Sequence, residues 1–337
     1  MKKAFLLLLG LLAFHFLGAQ NSSFSNVEVL ESDETGTIIQ FSLDGYLART
    51  VTTPNGPALI INVEEGTPLL KAGAPDLPKL TSSIIIDDLA NTVLSVIPGS
   101  YTDYPDIEVA PSKGNLYRDV DPASVPFTYS ELYQSDAFFP ENLAILRDPF
   151  IFRDFRGQTV QVHPVQYNPV TKVLRVYNEL TVVVKSVSGI GINPLYRQEN
   201  AIKVTDDYNL LYQKRFANLE QQADRYDQVS ELGNMLVIAP NHFMSIIEPL
   251  VTWKKQKGIP VEVVDMATIG TTEQELDAYI DAYYQNNGLT YLLFVGDENL
   301  VPTAQTPGNN ACDHCYGYRL GNDHYSEIFV GSLNAEN

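Results

Sequence analysis

The chain has 337 residues, 45% of them hydrophobic, which is enough for two ordinary cores because single domains usually hold about 100–200 residues. Acidic residues outnumber basic ones 41 to 22, giving a net charge of −19, and no stretch clusters Lys and Arg as phosphate neutralisation requires, so nucleic acid is excluded as a partner. The same acidity suits a solvated extracellular surface and supplies oxygen donors of the kind calcium takes.

The start reads Lys2 and Lys3, an apolar run from Ala4 to Leu17, then small Gly18 and Ala19 before Gln20. That order is a cleavable secretory signal over residues 1–19, cut between Ala19 and Gln20. The run is shorter than the roughly 20 residues a membrane-spanning helix needs. No later segment is apolar enough to span a bilayer, so the mature chain is expected to be secreted or at the cell surface, without a transmembrane segment.

Residues 20–187 carry short β-type runs separated by Pro, Gly, Asn and Asp, such as Thr37 to Leu43 and Leu174 to Tyr177, which predicts a β-rich domain. A hairpin is expected between Val160–His163 and Val173–Val184 around Tyr167-Asn168-Pro169-Val170, since proline turns the residue before it away from helix. Over 188–232 Gly and Pro give way to a Gln-, Asp- and Tyr-rich stretch with helical spacing at Leu210, Leu211, Phe216 and Leu219. This predicts a linker carrying a helix. Its Arg215 and Arg225 are candidate cleavage sites for an Arg-specific or trypsin-like activity.

From 233 to 337 buried strands alternate with helices. The strands are Met235–Ala239, Val261–Val264 and Tyr291–Val295; Phe243, Ile246, Ile247, Leu250 and Val251 recur at helical spacing, and Thr272 with Glu275 forms a capping box before Leu276, Ile280 and Tyr283. Continuous apolar strands between helices mean a parallel sheet. Pro249 costs the first helix a hydrogen bond unless it lies in the first turn. A fourth strand over Ile328–Gly331 falls close to Asn337, so the α/β domain is expected to be incomplete.

In open α/β sheets sites form beyond the carboxyl ends of the strands. Those ends carry Asp265, then Gly296-Asp297-Glu298, then a long polar loop from Pro302 to Glu327. Asp297, Asp313, Asp323 and Glu327 are candidate ligands for a structural calcium ion, against the plainer reading of a solvated acidic loop. Cys312 and Cys315 are the only cysteines. They fit a local disulfide or two free thiols, since zinc needs two further ligands and only His314 and His324 lie near. A cysteine nucleophile needs a His that takes its proton, and a dyad normally joins the ends of two separate strands, which disfavours either cysteine. No G-x-S-x-G, H-E-x-x-H or Walker motif occurs.

Gly321-Asn322-Asp323-His324-Tyr325 followed by Glu327-Ile328-Phe329-Val330-Gly331, preceded by Leu293-Phe294-Val295-Gly296-Asp297, Thr306-Pro307-Gly308 and Tyr316-Gly317, resembles the first part of the catalytic domain of the gingipains, secreted cysteine endopeptidases. Gly73-Ala74-Pro75-Asp76-Leu77-Pro78, Ala110-Pro111-Ser112-Lys113-Gly114, Asp148-Pro149-Phe150-Ile151 and Gln166-Tyr167-Asn168-Pro169-Val170-Thr171-Lys172 resemble the propeptide of that family. The resemblance implies a zymogen that cleaves after Arg or Lys, with a β-rich propeptide folded onto an incomplete caspase-like α/β domain. It implies protein or peptide substrates and the chain's own propeptide as partner. The catalytic His and Cys of the family are expected beyond Asn337. The family's propeptide blocks its enzyme with a basic side chain, for which Arg147, Arg153 and Arg156 are the candidates and Arg153 then Arg156 the favoured ones. Activation by cleavage between the domains points to Arg215 or Arg225. The alternative is a secreted, non-catalytic, propeptide-like inhibitor or binding protein, against which the unpaired edge of a half-built sheet argues.

Overall fold

The computed structural model describes residues 27–197, 201–222 and 225–335; the expected signal at 1–19 lies outside them. The first half is built from antiparallel strands. One sheet runs in the order Val27–Asp33, Gly36–Ser42, Glu179–Ile190, Ala90–Pro98. A second runs Phe150–Phe152, Phe155–Val162, Pro78–Ile85, Thr67–Pro68, with Ala144–Leu146 also paired to Phe155–Val162. Alternation sets the inner face of the first sheet: Thr37, Ile39 and Phe41 on one strand and Leu180, Val182 and Val184 on its neighbour are buried. They meet Leu80, Ile84, Val160 and Val162 of the second sheet in one aliphatic core.

Phe155–Val162 breaks the alternation, with seven of its eight residues buried. The strand is covered on both faces: Val160 and Val162 face the aliphatic core, while Phe155 and the neighbouring Ile85 face a second, aromatic cluster. The expected hairpin is corrected here. Val173–Tyr177 pairs with Val165–Asn168, not with residues 160–163, and Phe155–Val162 pairs instead with Pro78–Ile85. The Asn168-Pro169 turn signal was right, but the strand adjoining it begins at Val165, after Pro164.

The expected linker holds more order than a helix alone. Ala201–Thr205 and Asp227–Glu231 pair in parallel as a two-stranded ribbon. Between them the helix Asp206–Arg215 is capped by Thr205, whose hydroxyl accepts from Tyr208 N, and it carries Asp206 and Asp207 in its first turn and Lys214 and Arg215 in its last, complementing its dipole. Its buried face is Tyr208 and Tyr212 at i, i+4, while Leu210 is 55% exposed.

The second half is the expected parallel sheet, ordered Val261–Asp265, Met235–Ala239, Tyr291–Val295, Phe329–Leu333. Helix Asn241–Gln256 buries Phe243, Ile247 and Val251 against one face and continues past Pro249. Pro249 sits on the exposed side, where water can satisfy the carbonyl it frees. Helix Glu273–Asn287 has the expected capping box between Thr272 and Glu275 and buries Leu276 and Ile280 on the other face. No helix among the described residues is long and apolar enough to cross a membrane.

Candidate functional site

The two halves meet along an aromatic seam. The hairpin Phe150–Phe152 with Phe155–Val162 presents Phe150, which stacks on Tyr325 at 4.1 Å between ring centroids, and Phe155, whose ring lies edge-on to Tyr212 at 4.9 Å. Tyr208 closes on Phe329 at 4.4 Å. Such ring pairs contribute about 0.5–1.5 kcal/mol each beyond their buried area. Gly157 makes the packing feasible, because a Cβ there would meet Phe216 at 2.6 Å and Phe150 at 2.7 Å.

Polar contacts fix the register of this seam. Asp323 Oδ2 accepts from Ile151 N at 2.8 Å and from Asn193 Nδ2 at 2.7 Å, while Asn193 Oδ1 accepts from Asn322 N at 2.7 Å. Arg215 Nη2 donates to the Tyr325 hydroxyl, and its guanidinium lies over the Phe150 and Tyr325 rings. Burial pushes Asp154 above the usual carboxylate range, opposed by Arg153 and by the Tyr212 hydroxyl that donates to it at 2.5 Å.

Arg153 stands at the tip of the hairpin in the left-handed region, φ 50°. Its Nη2 donates to Thr290 Oγ1 at 3.3 Å and lies 3.6 Å from Glu231 Oε1, and its guanidinium covers the Tyr208 ring at 4.4 Å. Thr290 immediately precedes Tyr291–Val295, so Arg153 grips the amino edge of the parallel sheet. The chemistry of open α/β sheets gathers at the opposite, carboxyl edge. Arg156 is 1% exposed. It donates to Asn193 O, Asp87 O, Ala90 O and Ile192 O at 2.6–2.9 Å, so all three of its side-chain nitrogens are engaged within the first half. Gly191 lets it fit, because a Cβ there would lie 2.4 Å from Arg156 Nη2. Arg147 is exposed, and so is Arg118, which lies in a strand-free loop beside Tyr117, itself 83% exposed. Arg118 had a signal in the sequence: it sits between Gly114 and Pro122 in a segment without strand alternation.

The two expected cleavage arginines differ in setting. Arg215 ends a helix and is held in the seam. Arg225 precedes the ribbon strand Asp227–Glu231; its Nη1 donates to Gln222 Oε1 at 2.7 Å and its Nη2 lies 3.7 Å from Asp87.

The four candidate calcium ligands do not gather into one set among the described residues. Asp297 accepts from Asn299 N and Asp313 from the Thr303 hydroxyl, whereas Asp323 belongs to the seam. Glu327 is fully buried, and Oε2 accepts from Arg319 N at 2.7 Å and Leu320 N at 3.1 Å while Oε1 has no partner. Burial, with Asp323 nearby, pushes Glu327 up to about 7. The group whose ligand atoms do lie within 4.8 Å of one another is Cys312, His314 and Cys315, and the two cysteines form a disulfide. Of the two readings open for this pair, the local disulfide is the one found, and it leaves neither sulfur free as a nucleophile.

Residues 20–224 match the family described as Propeptide_C25, and residues 229–337 match Peptidase family C25. Gingipain R1 of Porphyromonas gingivalis is 37% identical over 92% of this chain and 31% of its own length. Gingipain R2 from the same species is 34% identical over all of this chain and 47% of its own length. The chain thus spans less than half of each of these curated relatives. Among solved structures, the complex of the pro- and mature domains of Porphyromonas gingivalis RgpB is similar with a TM-score of 0.54 and 33% identity, covering 59% of this chain and 98% of that one.

Proposed function

Because the chain belongs to peptidase family C25, with a propeptide ahead of the front of a peptidase domain, we propose that it is the exported zymogen portion of a gingipain-like cysteine endopeptidase that cuts after basic residues. Its residues 20 to 232 act as intramolecular inhibitor and folding aid. One observation carries this reading: the matched families meet between 224 and 229, across Arg225, while the seam holds the two sides together. The chemistry is acyl transfer, with thiolate attack on the scissile carbonyl, a thioester intermediate and release by water. The nucleophile and its base belong to sequence beyond Asn337.

Arg156 serves the propeptide's own fold and Arg153 its docking, so of the three expected arginines the exposed Arg147 is the one free to enter a specificity pocket, with Arg118 in its strand-free loop a further candidate. Arg225 is the activation site we favour over Arg215, since cutting there parts the two matched families without breaking a helix. Export rests on the charge, apolar and small-residue order of residues 1–19. A structural calcium ion is supported only at Glu327, whose orphaned buried oxygen is the kind of group a cation satisfies.

The test is to express the full precursor and follow its size together with hydrolysis of Arg- and Lys-terminated chromogenic peptides. Activity is expected only after the chain is cut, and Arg225→Ala is expected to block cutting while Arg215→Ala leaves it intact. An uncut precursor that already hydrolyses the peptides at full rate would remove the zymogen reading, and a precursor that hydrolyses none of them even after it is cut would return the non-catalytic alternative.

A further inference from the structure

We propose that Cys312 and Cys315 form a reversible redox pair whose reduced state, with His314, is a three-ligand site for a thiophilic divalent cation such as zinc.

The geometry comes from one tight turn. Cys312 precedes the short 3-10 turn Asp313–Gly317, and its amide donates to Ala304 O at 2.8 Å, which pins the loop against the end of the parallel sheet. Tyr316 within the turn is buried on Phe294, and its hydroxyl donates to Pro302 O at 2.8 Å, so the backbone carrying both cysteines is held from two sides. Both nitrogens of the His314 ring lie 3.5 Å from Cys312 Sγ. A tetrahedral zinc ion with bonds of about 2.3 Å to sulfur and about 2.0–2.1 Å to nitrogen separates those two ligands by about 3.5 Å. The Cys312–His314 separation therefore already matches such a site, and a rotation of the exposed ring that aims one nitrogen past the sulfur completes that edge. Opening the disulfide frees two sulfurs that the backbone cannot carry far apart. His324 is not a fourth ligand, because the group whose ligand atoms lie within 4.8 Å of one another holds Cys312, His314 and Cys315 without it. The fourth position is left to water.

As a staple the bond does less than a long-range one, since closing so short a loop removes less entropy from the unfolded chain. The two-residue spacing is that of reactive dithiols and of half zinc sites. A small thiol reduces the bond: its thiolate attacks one cysteine sulfur, the other leaves as thiolate, and a second thiol resolves the mixed disulfide, so two electrons enter the protein and the reductant departs as its own disulfide. Zinc then takes the place of the two thiol protons. Cys312 is 3% exposed but His314 is open to solvent, which makes the histidine side the path of entry.

The experiment uses the whole chain without air, either oxidised or reduced with a phosphine and then desalted, titrated with zinc ion alone against a chromogenic chelator. The reduced chain is expected to take up one equivalent and the oxidised chain none. Cobalt in place of zinc is expected to give thiolate-to-metal charge-transfer absorption in the reduced form only. His314→Ala, at an exposed position that leaves the fold intact, is expected to weaken binding at least tenfold, since even outer-shell partners of a metal site are worth about 10–100-fold. Equal zinc uptake by the two redox forms, no uptake by the reduced one, or unchanged affinity in His314→Ala would each overturn the proposal.

Discussion

The core between the two antiparallel sheets and the seam between the two halves are both buried, yet they are made of different material. The first is aliphatic, with Ile39, Ile84, Val160, Val162, Leu180 and Val182 interdigitating without a charge among them. The second is aromatic and ionic, built from Phe150, Phe155, Tyr208, Tyr212 and Tyr325 around Arg153, Asp154 and Arg215. An aliphatic core gains from area alone and tolerates no water. Rings with polar tips and paired charges can be wetted again at lower cost, which suits the release proposed above. Most of this second cluster is the propeptide's own, and Tyr325 and Phe329 are the rings by which the peptidase half joins it.

The largest effect should come from opening the aliphatic side. Phe41→Ala empties a fully buried position and is expected to cost about 3–5 kcal/mol, seen as a large fall in the melting temperature of the whole chain. Arg153→Ala should be milder and local. It is expected to cost about 2 kcal/mol, the scale of a hydrogen bond to a charged group, and to raise amide exchange over residues 323–329 while leaving Gly36–Ser42 protected. Equal loss of protection in both places would erase the distinction between the two cores.

The smallest effect is a difference in sign with pH. His163 Nδ1 donates to Asn142 O and its Nε2 accepts from Gln161 Nε2 at 2.8 Å, a neutral ring in the propeptide's interior. Burial holds its pKa below the ordinary value of 6.5, so the stability it contributes is present above 6.5 and lost as pH falls through the depressed value. Asp154 in the seam is shifted upward, so its contribution is present below the ordinary 3.8 and lost as pH rises through the raised value. Calorimetry between pH 7.5 and pH 5.5 is expected to show the propeptide losing stability on acidification, and His163→Gln to flatten that slope; an unchanged slope in the variant would discount the ring.

Features set by local periodicity were legible in advance. The capping box at Thr272 and Glu275, the parallel strands and the β-rich first half follow from patterns spanning a few residues. Features set by contacts across the chain were not. The helix Asp206–Arg215 buries tyrosines in place of leucines because its partners are the rings of Phe152 and Phe155, more than 50 residues away in sequence, and Phe329 beyond them. Arg156 looks in the sequence like any surface arginine, and only the convergence of four carbonyls explains its burial. Of the four carboxylates expected to share an ion, three share the 302–327 loop and Asp297 ends a strand, and the fold gives Asp297, Asp313 and Asp323 separate hydrogen-bond partners that no local pattern announces.

The parallel ribbon of Ala201–Thr205 with Asp227–Glu231 has its two strands on opposite sides of Arg225. A cut after Arg225 therefore severs the covalent thread while both strands stay zipped. What changes is the order of the equilibrium: contacts sustained by a local concentration set by the tether become an association between two separate molecules. If the chain is cut there, as proposed, dilution would act as the trigger, parting two pieces that crowding holds together.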